Sequence, residues 1–131
     1  MLPISTVFAG MASERYVRAG GAAVVGTYIP AEFVPTGVNE MARNFIANYT
    51  RRFGSAPDPF AAEGYTMMQV IANAIRTAGA SPTRDAIRQA IAGTRDLPGV
   101  LGGGRISIDA ERVPSFGSVV LVLRNGQWVQ P

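Results

Sequence analysis

Nine carboxylates are the acidic groups available for proton chemistry: Glu14, Glu32, Glu40, Asp58, Glu63, Asp85, Asp96, Asp109 and Glu111. Only Asp109 and Glu111 lie close together, two residues apart beside a turn. A hydrolytic acid–base pair needs two carboxyls converging on a substrate from a shaped cleft. Neighbours on a turn instead cap backbone amides and stay solvated. The chain contains no His and no Cys. That removes the usual general base, the triad relay, thiol nucleophiles, disulfides, zinc fingers and iron–sulfur clusters. The inventory supports no catalytic residues, no metal site and no cofactor, and the protein is expected not to be an enzyme.

Three further features invite a chemical reading and each has a plainer one. Gly102-Gly103-Gly104 could cradle a phosphate, but it has neither G-x-G-x-x-G nor G-K-[ST], and a strand rather than a helix follows. A flexible connector is the simpler expectation. Met67-Met68 could form a soft binding surface, yet at helical spacing methionines usually fill a core. All twelve cations are Arg, against nine acids, for a net charge of +3. They are dispersed, with Arg51-Arg52 the one adjacent pair, so no phosphate-binding tract and no nucleic-acid partner is expected.

The elements that must position any site can be followed along the 131 residues, a length suited to one domain. Pro3 to Phe8 is β-prone. Ser13 can cap a helix through about Gly20, and Ala22 to Tyr28 predicts a buried strand closed by Pro30, completing a β-α-β unit that favours parallel pairing. Pro30 to Gly37 is a connector. Asn39 caps a helix carrying Met41, Phe45, Ile46, Tyr49 and Phe53, which Gly54 stops. Asp58 with Pro59 opens a long helix ended by Gly79. Its apolar face is Phe60, Gly64, Met67, Met68, Ile71, Ala74, Ile75 and Ala78, with Glu63, Thr66, Asn73 and Thr77 opposite.

Ser81-Pro82 repeats the cap-plus-proline device for a helix that buries Ala86, Ile87, Ala90 and Ile91 and closes at Gly93. Leu97 to Gly104 reads as a mobile glycine-rich connector. Arg105 to Asp109 alternates as a strand, Ser118 to Arg124 is another, and Asn125-Gly126 marks a type I′ hairpin into Gln127-Trp128-Val129. The fold class is α/β: a β-α-β unit, three helices, then strands. The stretch from Phe60 to Ala80 carries Glu63, Gln69, Asn73 and Arg76, too many polar groups for a bilayer span. Met1 to Gly10 lacks a charged leader and is too short for a signal peptide.

Several pieces in this order resemble the C-terminal part of periplasmic solute-binding proteins of the branched-chain amino-acid ABC transporter type. Ala19-Gly20-Gly21-Ala22-Ala23-Val24-Val25-Gly26 leading to Tyr28-Ile29-Pro30 is similar to the family's Ala/Gly-rich helix end, Gly and strand. Phe45, Tyr49, Phe53-Gly54 and Pro57 follow its "F…Y…FG…P" pattern. Ala61-Ala62-Glu63-Gly64-Tyr65 with Ala74-Ile75 and Ala78-Gly79 resembles its "A…GYDA…AI..AG" helix. Gly99, Gly104-Arg105-Ile106-Ser107-Ile108-Asp109 and then Val120, Asn125-Gly126 and Trp128 resemble its last two motifs.

The resemblance implies a partial type I periplasmic-binding fold, in which two α/β lobes close on a small organic ligand and deliver it to a membrane permease. Residues 1–30 would be the β-α-β portion of the second lobe, 31–110 the helical portion and strand of the first, and 111–131 the return strands. It implies a periplasmic location and roughly the last third of a binding protein. In amino-acid binders of the family a carboxylate before the helix placed at Ser13 pairs with the substrate ammonium. That position falls on Ala9, so Phe8, Ala9, Gly10 and Met11 are the expected ligand-binding residues. Ala cannot compensate a desolvated ammonium, which points to an aromatic or aliphatic carboxylate or an amide. Faces and edges left without the first lobe would be covered by association, so a homo-oligomer is expected. The alternatives are a self-associating domain without its own ligand, or the ligand-sensing module of a regulator.

Overall fold

A computed structural model describes residues 14–131. The expected strand from Pro3 to Phe8, the expected cap at Ser13 and the expected ligand-binding residues Phe8, Ala9, Gly10 and Met11 lie outside the described residues. The elements run α1 (Glu14–Gly20), β1 (Tyr28–Ala31), α2 (Glu40–Phe53), α3 (Pro59–Thr77), α4 (Arg84–Ala92), β2 (Leu97–Pro98), β3 (Arg105–Ile108), β4 (Pro114–Ser115), β5 (Val119–Arg124) and β6 (Gln127–Val129). Two small sheets form, one in the order β1-β5-β6 and one in the order β2-β3-β4, and each pairing is antiparallel.

The first sheet collects residues from both ends of the described chain. Tyr28 stands opposite Val122 and Ala31 opposite Val119. Ile29, Ala31, Val34, Leu121, Leu123 and Trp128 form its buried core, with α1 laid over it through Tyr16 and Val17. Asn125 and Gly126 both have positive φ, 51° and 76°, as the hairpin turn between β5 and β6 requires. The strand expected over Ala22 to Tyr28 forms at Tyr28–Ala31 instead. Gly21–Val24 is a short 3-10 turn, because Gly21 and Gly26 hold φ at 51° and 85° and break any extended run. Pro30 does not close the strand but lies inside it, on an edge among the described residues, where a missing N–H is tolerated.

The helical half packs separately. Asn39 caps α2, and Gly54 ends it at φ 73°. Asp58 caps α3 with Pro59 in its first turn. The helix after it starts later than Ser81-Pro82 suggests: Thr83 is the cap, its Oγ1 accepting from Ala86 N–H at 3.1 Å. Ala86, Ile87, Ala90 and Ile91 are the inward side of α4 but only half-buried. Phe33, Ala42, Phe45, Ala62, Val100 and Leu101 make one core here, and Val70 with Ile106 and Ile108 makes another.

Two expectations about burial are corrected. The buried face of α3 is Pro59, Ala62, Thr66, Val70 and Ala74, not the face of larger side chains. Phe60, Met67, Met68 and Ile75 are exposed, so the methionine pair is not core. Small residues let α3 approach its neighbours closely, and the bulky stripe points away. Leu97 to Gly104 is also no mobile connector. Leu97 and Pro98 pair with β3, Val100 and Leu101 are buried, and Gly99 N–H donates to the Gly104 carbonyl at 2.9 Å.

Candidate functional site

A cleft of about 560 Å³ lies between the first sheet and the helical half. One wall is α1, through Glu14, Val17 and Arg18. A second is the β5–β6 hairpin from Gly126 to Val129. The connector at Pro35 and Thr36 and the turn from Ala56 to Pro59 complete it. Both halves therefore contribute, each through an element whose position its own core fixes. The ring of Tyr16 sits 6.1 Å from that of Trp128, which anchors α1 against the hairpin.

The cleft carries both signs of charge. Arg18 reaches Glu14 at 3.7 Å, with both side chains solvated, so the pair contributes little to stability. Asp58 is engaged in capping, its Oδ1 accepting from Ala61 N–H at 2.8 Å. Trp128 is 5% exposed, and its Nε1 has no hydrogen-bond partner among the described residues. A buried unpaired donor costs about 1–3 kcal/mol, and this one belongs to a residue that lines the cleft. Sequence patterning singles out Trp128 only as part of a hairpin motif. Its role as a cleft wall depends on a crossing of distant segments that no local pattern encodes.

Farther along the helical half, Glu63 holds its proton more tightly than an ordinary carboxyl. Partial burial is the main cause, with Glu32 and Asp58 adding like charge. A second, smaller depression of about 340 Å³ has Ile87, Ile91 and Ile108 as its floor and Arg84, Arg88 and Arg112 at its rim.

The remaining candidates resolve structurally. Asp109 Oδ1 accepts from Val113 N–H at 2.7 Å, a turn cap, and Glu111 is exposed. The triple glycine uses its amides internally: Gly102 N–H donates to Glu32 O at 2.6 Å, Gly103 N–H to Phe116 O at 2.8 Å, and Gly104 N–H to Leu101 O at 2.7 Å. None is left for a phosphate. Among the described residues no group of three or more acidic side chains is placed to hold a metal ion, and no helix is long and apolar enough to cross a membrane.

The described residues thus form a cleft between two halves, with two small antiparallel sheets and four helices. A periplasmic binding protein family model matches residues 3–122. The chain belongs to that family. It is a family of binding and transport proteins rather than enzymes.

Solved structures agree. A protein of Rhodospirillum rubrum described as a branched-chain amino acid ABC transporter superposes with a TM-score of 0.84 at 27% identity, over 98% of this chain and 37% of that one. The leucine binding protein of Thermotoga maritima gives 0.80 at 28% identity, over 98% of this chain and 35% of its own. The branched-chain amino acid transporter substrate binding protein of Streptococcus pneumoniae, in complex with isoleucine, gives 0.76 at 26% identity, over 98% and 37%. No curated protein sequence matches significantly. This periplasmic-binding chain thus spans little more than a third of the length of these structures, and its α/β architecture is a partial type I periplasmic-binding fold.

Proposed function

We propose that this chain is the C-terminal portion of the solute-binding component of an ABC uptake transporter, working in the periplasm and handing a small organic ligand to a membrane permease. The family match across residues 3–122 carries the reading, and the cleft between the two halves supports it, because lobe closure needs a ligand site that both sides contribute to. The first sheet would belong to the second lobe, and α2 to β3 to the first.

The ligand class departs from that of the similar proteins named for leucine or bound to isoleucine. Ala9 occupies the position where the resemblance calls for an ammonium-pairing carboxylate, and burying an unpaired ammonium costs several kcal/mol. Phe8, Ala9, Gly10 and Met11 form the ligand contact on this reading, and the ligand is an aromatic or aliphatic carboxylate or an amide. Arg18, on the α1 wall of the cleft, would exchange its solvent-exposed pairing with Glu14 for such a carboxylate.

A thermal-shift series across small carboxylates, amides and amino acids tests the function. A binding component gains stability that rises with the logarithm of ligand concentration above Kd. A self-associating domain without a ligand shows no such concentration-dependent shift with any of them, and that result would reject the proposal.

A further inference from the structure

The smaller depression lies where α4 meets the end of β3 and the turn that follows. Its volume of about 340 Å³ suits one small molecule. Ile87 and Ile91, one turn apart on α4, and Ile108 from β3 make the floor, with Arg84, Arg88 and Arg112 at the rim and no carboxylate in the lining. The walls are fixed by the fold itself. Ile108 belongs to the core around Val70, and Ile91 packs against that core. The Arg95 guanidinium ties the two walls together, donating to the carbonyls of Ala92 at the end of α4 and of Ile108. Ile108 N–H donates to the Thr94 carbonyl at 2.9 Å.

Three features that work against local stability converge on this rim. Arg84 puts a cation in the first turn of α4, where the helix dipole disfavours it. Arg84 and Arg88 are like charges four residues apart, a spacing at which they repel. Asp85 offsets Arg88 at 3.3 Å, whereas Arg84 has no ion pair among the described residues. Arg112 holds φ at 67°, a conformation that glycine or asparagine adopts with less strain. It too has no ion pair among the described residues. Asp109 is engaged in capping Val113, and Glu111 lies outside the lining. One negative group held above the isoleucines would answer all three arginines.

We propose that this depression is a second binding site, for a free aliphatic carboxylate whose tail lies on Ile87, Ile91 and Ile108 and whose head group is held by the arginines. An apolar floor with a cationic, acid-free rim is the complement of a chain with one anionic end. From Arg84 to Ile91 the helix advances about 10 Å, a span that extended octanoate matches. A protein partner fits less well. A stable interface takes roughly 20–30 residues from each side, against seven lining residues here. The site shares no lining residue with the cleft, and its occupancy does not depend on which ligand the cleft takes.

Amide chemical-shift mapping of the whole chain with octanoate, hexanoate, acetate and octan-1-ol tests the site. Octanoate is expected to shift the amides of Ile87, Ile91, Ile108 and Arg112 saturably, with a Kd of about 1 mM or below. It should bind about twofold or more tighter than hexanoate for each methylene gained. Octan-1-ol, which has the tail without the charge, should bind about tenfold more weakly, and acetate should give no saturable shift. Arg84→Gln/Arg112→Gln changes two exposed side chains without ion pairs. It should weaken octanoate about tenfold and leave octan-1-ol unchanged. Octanoate shifts confined to the cleft hairpin at Gly126–Val129 overturn the inference and leave the function of the cleft standing. Absence of saturable shifts anywhere overturns it as well. Binding at α4 that octan-1-ol matches, or that the double variant does not weaken, is apolar adhesion and overturns it. The same amides shifting with protein concentration alone would assign the floor to a second copy, which also overturns it.

Discussion

The side chain of Asn39 joins the start of α2 to the glycine turn sixty residues away: Nδ2 donates to the Gly99 carbonyl at 3.0 Å. Its Oδ1 meanwhile accepts from Ala42 N–H at 2.8 Å. One amide thus caps a helix and fixes the loop that carries Val100 and Leu101 into the helical core. Asn39→Ala should lose about 2 kcal/mol, roughly one from the cap and one from the long-range bond. Asn39→Asp keeps the cap acceptor and should lose about half as much. Urea midpoints at constant m measure both; an Asn39→Asp variant as stable as the parent would show that the tie to Gly99 contributes nothing.

Gly102 and Gly103 should respond differently to the same methyl group. At Gly102, φ is 45° and a Cβ would collide with the carbonyl oxygens of Phe116 and Gly117. At Gly103 the nearest atom is 3.9 Å away. Gly102→Ala is expected to destabilise by about 2 kcal/mol or more, and Gly103→Ala to stay within about 0.5 kcal/mol of the parent. Similar melting temperatures for the two variants would mean the turn is as pliable as its composition suggests.

Glu63 sets a pH dependence whose sign follows from its raised proton affinity. The folded state binds this proton more tightly than the unfolded chain does. Its contribution is therefore fully present below the ordinary value of 4.5 and is lost as pH rises through the higher folded value. Glu63→Gln removes the penalty, so the variant should exceed the parent in stability at pH 7, with the gap closing below about pH 4. A gap that widens on acidification would contradict the assignment.

Trp128 separates packing from polarity. Trp128→Phe retains an aromatic ring beside Tyr16 and removes the unpaired Nε1 donor, so a loss below about 1.5 kcal/mol is expected. Trp128→Ala removes the ring and should cost about 3–5 kcal/mol. Denaturant titration checks the pair, and a Phe variant as unstable as the Ala variant would mean the indole N–H is used.

Local signals are legible in the sequence wherever a single side chain decides an end or a turn. Asn39, Asp58 and Gly54 act as caps and stops because their hydrogen bonds and φ values are local chemistry. The Asn125-Gly126 turn is legible for the same reason. What escapes the sequence depends on contacts across the chain. Periodicity identifies the Phe60–Met67–Ile75 stripe as apolar, but not whether the covering surface lies within the same 131 residues. The glycine run reads as loose because its order comes from Glu32 and Phe116, distant carbonyls that accept from Gly102 and Gly103. The cleft is invisible for a like reason, since α1, the Ala56–Pro59 turn and the hairpin meet only in three dimensions.

Solute binding without an ammonium partner at Ala9 is tested most directly by calorimetric titration of the protein with three compounds: leucine, 4-methylpentanoate (leucine without its amine) and benzoate. The expected result is saturable binding of at least one of the two carboxylates, with leucine about a hundredfold weaker or more, equivalent to some 2.7 kcal/mol. Leucine binding as tightly as the carboxylates, or no heat from any of the three, would contradict it.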